Sequence, residues 1–361
     1  MAGYRVVEPE AMEATGREIF ERLGTPADAA AEVAAHLVRA NLAGHDSHGA
    51  IRIPQYAMQI GQGAITPAAR PEVLSRRGAA LLIDGGSGFG HFTTAFALKE
   101  TMEIARELGV ATAAIRRANH IGRVGDYAET AAREGMVAIL TVGGAGPGVG
   151  GATPFGGAQR FLGTNPWSIG IPTTDEHPVL IDFASTVVAE GKVRVARDKH
   201  AALPPGCIVD KHGQPSTDPA DYYDGGMLLP FGGHKGYGLA LASAMLGGMA
   251  AIGDPAPNLA GSGTVSGSSG ERMAGALIVV IDPGAFGDAT TYREAVGRLS
   301  ASARQVPPAP GTREVLIPGE PESRTTAQRR QEGISLPDDT WDAISKVAAE
   351  HRVSMPQSRA I

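Results

Sequence analysis

"MVAILTVGGAGPGVGGATPFGGAQRFLGTNP", residues 136–166, decides what kind of fold this chain has. It opens as a strand, an apolar run bounded by glycines, and then places Gly146, Gly148 and Gly151 in the spacing G-x-G-x-x-G. In a dinucleotide-binding Rossmann turn that spacing opens a helix, whose free N–H groups meet a pyrophosphate. Here Pro154 and three further glycines follow, with no helical run, so the match is formal. A nicotinamide nucleotide, if one binds, is not held by this turn. "GGSGFGH" (85–91) fails the spacing, and the chain has no G-x-S-x-G and no Walker sequence.

Working outward, "AALLIDGG" (79–86), "GVATAAIRRA" (109–118), "NPWSIGIPT" (165–173), "HPVLIDFAS" (177–185) and "ALIVVIDP" (276–283) read as strands. Helical spacing covers 93–108 and 122–134, and the interleaving predicts an α/β core. Residues 8–44 read as helix broken at Gly24-Thr25-Pro26. The polar C-terminal stretch 323–351 also has helical spacing, with Asp338-Asp339 as its expected cap. We expect the two helical ends to pack together, which divides the chain into 1–75, 76–320 and 321–361. The Pro-, Gly- and Ser-rich stretch 254–272 reads as a loop. "GYGLALASAMLGGMAAIG" (236–253) carries no charge, but it is short for a membrane span and rich in Gly and Ala; a core or interface helix is expected.

Composition narrows the function classes. A chain of 361 residues that is 43% hydrophobic can bury a large core, and a net charge of −6 without basic blocks or many aromatics argues against nucleic acid. Cys207 is the only cysteine, so an internal disulfide and a thiolate metal cluster are both excluded. The N-terminus lacks a charged region followed by an apolar one, so a cytoplasmic location is expected.

The residues that carry chemistry cluster in "NLAGHDSHGAIRIPQY" (41–56). His45 and His48, three apart, have a metal-ligand spacing, but a third ligand must come from isolated histidines such as His91, His120 or His234. Asp46 or Ser47 alternatively caps a helix start. His48 and Arg52, four apart, share a helical face before Pro54 bends or ends it. Such a histidine can protonate a carbonyl oxygen, such an arginine can grip a carboxylate, and Ser47 can orient the imidazole. The plainer reading of the pair is solvated surface charge. "RANHIGRVGDYAE" (117–129) places Gly122 and Arg123 at an apparent helix start, either a phosphate cradle or an ordinary turn capped by Asn119. In "FGGHKGYG" (231–238), Lys235 opposes the macrodipole of the helix it opens, which suits contact with a cofactor better than stability.

Taken together, "DSHGAIRIPQY", "NHIGRVGDYAE", "PFGG", "GTNPWSIGIP", "LIDFASTVVAEGKVRVA", "GGHKGYGLALASAMLGG" and "VLIPGEPE" resemble the type-2 malate/L-lactate dehydrogenase family. They run in family order from about 40 to 325, and "HIGRVGDYAE" and "GKVRVARDKHAALPPGCIVDKHGQPSTDP" resemble its hydroxycarboxylate dehydrogenase branch. The resemblance implies a non-Rossmann, sulfolactate dehydrogenase-like α/β fold with a largely antiparallel cofactor-binding sheet. It implies hydride transfer between NADH or NADPH and a small 2-oxo acid, in a homodimer whose active site forms near the interface, with no metal. By the family motif, His48 is the proton donor, Ser47 its relay partner and Arg52 the carboxylate clamp. His120 and Thr164 fall on substrate contacts. His120 also belongs with Gly122, Arg123 and Val124 on the cofactor loop. Asp182, Phe183, Ala184, Ser185 and Thr186 follow the cofactor strand, His234 and Lys235 a second cofactor loop, and Pro318, Gly319 and Glu320 a last one. Lys192 stands where the family's cyclic-imine reductases place an acidic residue, which disfavours an imine substrate. Pro321 stands where several relatives are basic, leaving the nucleotide open. A cyclic-imine reductase, a metal-dependent hydrolase and a nucleotide-binding regulator are the alternatives.

Overall fold

The computed structural model describes residues 3–198, 200–252 and 273–361, so the expected loop 254–272 lies outside the described residues. The chain opens with β1 (Tyr4–Val7), α1 (Pro9–Arg22), α2 (Ala27–Leu42) and α3 (Ile53–Gly61). Then come β2 (Glu72–Arg77), β3 (Ala80–Gly88), α4 (Gly90–Leu108), β4 (Val110–Ala118), α5 (Gly125–Arg133), β5 (Val137–Ala145), β6 (Trp167–Ile171) and β7 (Val179–Phe183). A smaller lobe follows: α6 (Glu190–Asp198), β8 (Ile208–Val209), β9 (Pro215–Ser216), α7 (Pro219–Tyr223), β10 (Met227–Leu228) and α8 (His234–Gly248). The last elements are β11 (Met273–Ile281), α9 (Ala289–Arg304), α10 (Glu320–Glu332), β12 (Ile334–Pro337), α11 (Asp338–Glu350) and β13 (Ser358–Ala360).

Seven strands form the main sheet in the order β2-β3-β4-β11-β5-β6-β7. Only β3 and β4, joined through α4, run parallel; every other neighbouring pair is antiparallel. The glycine-rich stretch explains this topology. After Ala145 no helix starts. The chain instead folds back on itself through bridges from Leu162 to Ala145 and Ala152, and returns as β6 antiparallel to β5. Gly150 holds φ +62°, and a Cβ there would lie 2.3 Å from the Leu162 carbonyl oxygen, so this turn requires glycine. The sheet core is aliphatic and small, with Ile83, Ala97, Ala113, Ile115, Leu140, Ile278 and Val280 all buried. Antiparallel β12-β1-β13 join the two ends of the chain, and α11 packs on α1 and α3. Val7, Phe20, Ile53, Tyr56, Ile334 and Trp341 share one core there. Among the described residues no helix is long and apolar enough to cross a membrane.

Four local readings need correction. Pro54 neither bends nor ends a helix: it stands in the first turn of α3, where its missing N–H costs nothing. The chain before it is two short 3-10 turns, Asp46–His48 and Ala50–Arg52, so His48 and Arg52 do not lie on one α-helical face. Asp338 is inside α11 and its carboxylate accepts from Arg5 at 3.2 Å; the cap position belongs to Pro337 and has no side-chain bond. The C-terminal helical stretch is interrupted at Gly333, φ +90°, where β12 begins.

Candidate active site

The loop that carries Ser47 and His48 is fixed from behind. Asn41, fully buried on α2, accepts from the Ala50 N–H at 2.8 Å through Oδ1 and donates to Asp46 at 2.6 Å through Nδ2. Arg329 of α10 donates to the Asn41 carbonyl at 2.5 Å and to both Asp46 oxygens at 2.6 and 3.1 Å. Asp46 is therefore a latch between the loop and the C-terminal segment, not a helix cap. His45 turns the same way, its Nε2 3.6 Å from Glu322.

Ser47 and His48 face a cavity instead. Ser47 Oγ lies 3.1 Å from His48 Nδ1, which leaves Nε2 free to carry a proton. The Arg52 guanidinium is anchored by donation from Nε to the Ser47 carbonyl and from Nη1 to Gln55 Oε1, both at 2.6 Å. His48 stacks on His120 with ring centroids 5.4 Å apart. The buried Tyr56 hydroxyl is 2.6 Å from His120 Nδ1 and 3.4 Å from His91 Nε2. Burial, reinforced by Arg52 and His45, holds the His48 imidazole down to about 3. Burial and Arg52 also hold His120 well below its ordinary value, while burial pushes the Tyr56 phenol up. At neutral pH the cavity thus presents neutral imidazoles beside one permanent cation, an arrangement suited to taking a proton from a hydroxyl whose neighbouring carboxylate the cation holds.

This cavity, about 310 Å³, is lined by Ser47, His48, Arg52, His120, Gly122, Val124 and Thr164, seven of the expected residues brought together from distant segments. The glycine-rich return Gly143, Gly144, Gly150 and Gly151 forms another wall, so the failed nucleotide fingerprint borders the cavity through its close-packed backbone. Gln55, Asn165, Glu190 and Tyr222 also line it and were not read from the sequence. Of these only Gln55 had a local signal, its place three residues after Arg52 in an amphipathic turn.

On the other side of the 122–124 segment lies a second cavity of about 500 Å³, lined by Arg123, Leu180, Gly319 and Glu322 among others. Arg123 is buried, 3% exposed, with its Nε 3.7 Å from Asp182 and its Nη1 3.7 Å from Glu129. Its Nε and Nη2 have no hydrogen-bond partner. Buried donors of this kind are costly unless something satisfies them. Arg39, Arg133 and Arg330 line the same cavity beside Asp126, Glu129 and Glu176, and the arginines are the groups that would meet a dinucleotide phosphate there. The helix start expected to hold that phosphate is already served. The Gly125 N–H donates to Asp182 at 3.1 Å, and the Arg123 N–H donates to His36 Nε2 at 2.9 Å. Burial raises the Asp182 carboxyl despite Arg123.

The remaining expected residues lie farther out. Pro318 and Glu320 line a small pocket of about 220 Å³, where Glu320 clasps Arg304 at 2.5 Å. Phe183, Ala184, Ser185 and Thr186 line none of these cavities; Ser185 bonds the Thr164 carbonyl at 2.8 Å and so positions that residue. His234 and Lys235 are exposed at the start of α8 and line neither main cavity. Lys192 is exposed on α6; the acid in the cavity wall is Glu190, two residues earlier. For the metal reading, His45 and His48 are engaged by Glu322 and Ser47 respectively. Among the described residues the grouping with ligand-like spacing is Glu32, His36 and Asp126. Arg39 bridges its two carboxylates, donating to Glu32 at 2.9 Å and to Asp126 at 2.8 Å, which makes it an ion-pair network.

Gly122 is where this architecture is least tolerant. Its φ is +73°, and a Cβ would lie 2.3 Å from His36 Nε2 and 2.7 Å from His91. Gly122→Ala is expected to destabilise the protein by about 3 kcal/mol, the sum of left-handed strain and overpacking, as read from urea unfolding. A loss below about 1 kcal/mol would show that the two imidazoles can move aside.

The family model described as malate/L-lactate dehydrogenase matches residues 7–345. The chain is 34% identical to hydroxycarboxylate dehydrogenase B of Escherichia coli over 348 residues, 94% of this chain and 92% of that protein. Its structure is similar to sulfolactate dehydrogenase from Methanocaldococcus jannaschii, with a TM-score of 0.86 at 32% identity, covering 97% of this chain and 98% of that one. It is also similar to delta1-piperideine-2-carboxylate reductase from Pseudomonas syringae, with a TM-score of 0.82 at 29% identity, covering 95% and 99%.

Proposed function

The chain belongs to the malate/L-lactate dehydrogenase family, whose members are pyridine-nucleotide-dependent 2-hydroxy acid dehydrogenases, and on that premise we propose that it interconverts a small 2-oxo acid and its 2-hydroxy acid with His48 and Arg52 as the working groups. The observation that carries this reading is the pairing of an anchored guanidinium and a serine-oriented, neutral imidazole on one cavity. When bound, reduced nicotinamide supplies the hydride that reaches C2. The carbonyl electron pair moves onto oxygen as this happens, and His48, charged to the imidazolium by a proton taken from solvent, gives its Nε2 proton to that oxygen and is left neutral. Ser47 accepts from Nδ1–H throughout, which keeps the reactive nitrogen facing the substrate. Arg52 holds the carboxylate, and His120, set by Tyr56, flanks the reacting oxygen. A dinucleotide would be held by the residues about the 122–124 segment, with Arg123 supplying the positive charge for a phosphate. The working form is a homodimer.

The direct test follows oxidation of NADH and of NADPH against a panel of 2-oxo acids and cyclic imines, with EDTA present and sedimentation run in parallel. Turnover of a 2-oxo acid unaffected by EDTA is expected. Silence with every 2-oxo acid and both nucleotides would sink the assignment, and imine turnover alone would move it to the reductases. Arg52→Lys is expected to raise KM about a hundredfold with a smaller change in kcat, because an ammonium cannot reproduce the planar fork or its two anchors. An unchanged KM would remove Arg52 from the carboxylate.

A further inference from the structure

The proton-donor cavity carries an unusual charge set. Of the described residues lining it, Arg52 and Glu190 alone bear full charges. Glu190 opens α6, the helix whose next residue, Gly191, comes so close to the proton-donor loop that a Cβ there would lie 2.7 Å from Ser47 Cβ. Glu190 therefore lines the cavity on the side where α6 approaches Ser47. Its Oε1 accepts from the Tyr223 hydroxyl at 2.8 Å, and the Arg197 guanidinium lies over the Tyr223 ring at 4.2 Å, so the side chain is held by its neighbours. Tyr222, packed edge-on against Tyr223 at 5.2 Å, lines the same cavity.

From this we infer that Glu190 is a specificity-determining residue, and that it selects 2-oxo acids with a single carboxylate and a hydrogen-bond donor, hydroxyl or ammonium, elsewhere on the molecule. The inference rests on the dehydrogenase reading and deepens it. A substrate whose one carboxylate is held by Arg52 leaves the rest of itself to a small space that contains an anion and no second cation. A hydroxyl or ammonium there gains a charge-assisted bond to Glu190. A second carboxylate meets a like charge, with no cation besides Arg52 among the lining residues to offset it. Burial keeps His120 uncharged at neutral pH, and the His48 proton needed for reduction is the same for every 2-oxo acid compared, so the imidazoles do not decide the preference.

The test compares kcat/KM for hydroxypyruvate, pyruvate, oxaloacetate and 2-oxoglutarate in the wild-type enzyme, Glu190→Gln and Glu190→Lys, each with the better nucleotide. The wild type is expected to prefer hydroxypyruvate over oxaloacetate by at least about tenfold, a typical size for one like-charge contact against one charge-assisted bond. Glu190→Gln is expected to close most of that gap. Glu190→Lys is expected to reverse it, a gain that damage to the fold cannot produce. A 2-oxo acid bearing an amine separates the two donors: preference for it over hydroxypyruvate assigns the ammonium, the opposite order the hydroxyl. A wild type that prefers oxaloacetate, or variants in which all four acids change by the same factor, would overturn this inference while leaving the dehydrogenase reading intact. Turnover of none of the acids would overturn both.

Discussion

His48→Ala is expected to lower kcat in both directions by roughly 10²–10⁴-fold, the range that a positioned general acid–base contributes. The fold should not follow the activity down. The loop is held by Asn41, Asp46 and Arg329, none of which contacts the imidazole, and Arg52 keeps its anchors on the Ser47 carbonyl and Gln55. Binding of the carboxylate should therefore survive, so KM changes little while kcat collapses. That split separates loss of a proton-transfer group from loss of the site. Ser47→Ala should cost less, because it removes the partner of Nδ1 but leaves Nε2 in place. A His48→Ala enzyme within about tenfold of wild-type kcat would assign the proton to another group, His120 being the nearest.

Much of the frame was legible in the sequence because it depends on local pattern. The alternation in 109–118 and the apolar runs at 136–145 and 276–283 correspond to β4, β5 and β11, the central strands, where burial on the sheet imposes the pattern most strongly. The absence of a helix after Gly151 was also local and ruled out a Rossmann turn, whereas the largely antiparallel sheet was implied by the family resemblance and is the one found. The terminal strands β1, β12 and β13 were missed because each is three or four residues long and gains its pairing from the far end of the chain. Pro54 was misplaced because a proline reads alike whether it ends one helix or begins the next. In the site, the motif residues were findable and their supports were not. Asn41, Tyr56 and Arg329 act through contacts across as many as 288 positions of sequence. Glu190, in a polar helix start, has no local mark of facing a cavity until α6 is seen to rest on Ser47.

The pH dependence of the two directions should locate the proton on His48 without any mutation. Reduction consumes one proton and oxidation releases one, so the ratio of kcat/KM for reduction to that for oxidation must fall tenfold per pH unit whatever the enzyme does. The pKa of the acid–base group in the free enzyme decides which direction carries that slope. A group titrating above the working range makes reduction flat and oxidation rise with pH. A group titrating below it makes oxidation flat and reduction fall. With burial and Arg52 holding His48 down to about 3, the second case applies. From pH 5 to 9 the kcat/KM for 2-hydroxy acid oxidation should show no break from this residue, while that for 2-oxo acid reduction should drop about a hundredfold between pH 6 and 8. The substrate changes the balance once it is bound. Its carboxylate neutralises Arg52, the second cause of the depression, so the break in kcat should lie above the one in kcat/KM. Oxidation that climbs tenfold per unit through neutrality, with reduction flat, would place the group's pKa above that range and would contradict the desolvated, cation-flanked imidazole on which this mechanism depends.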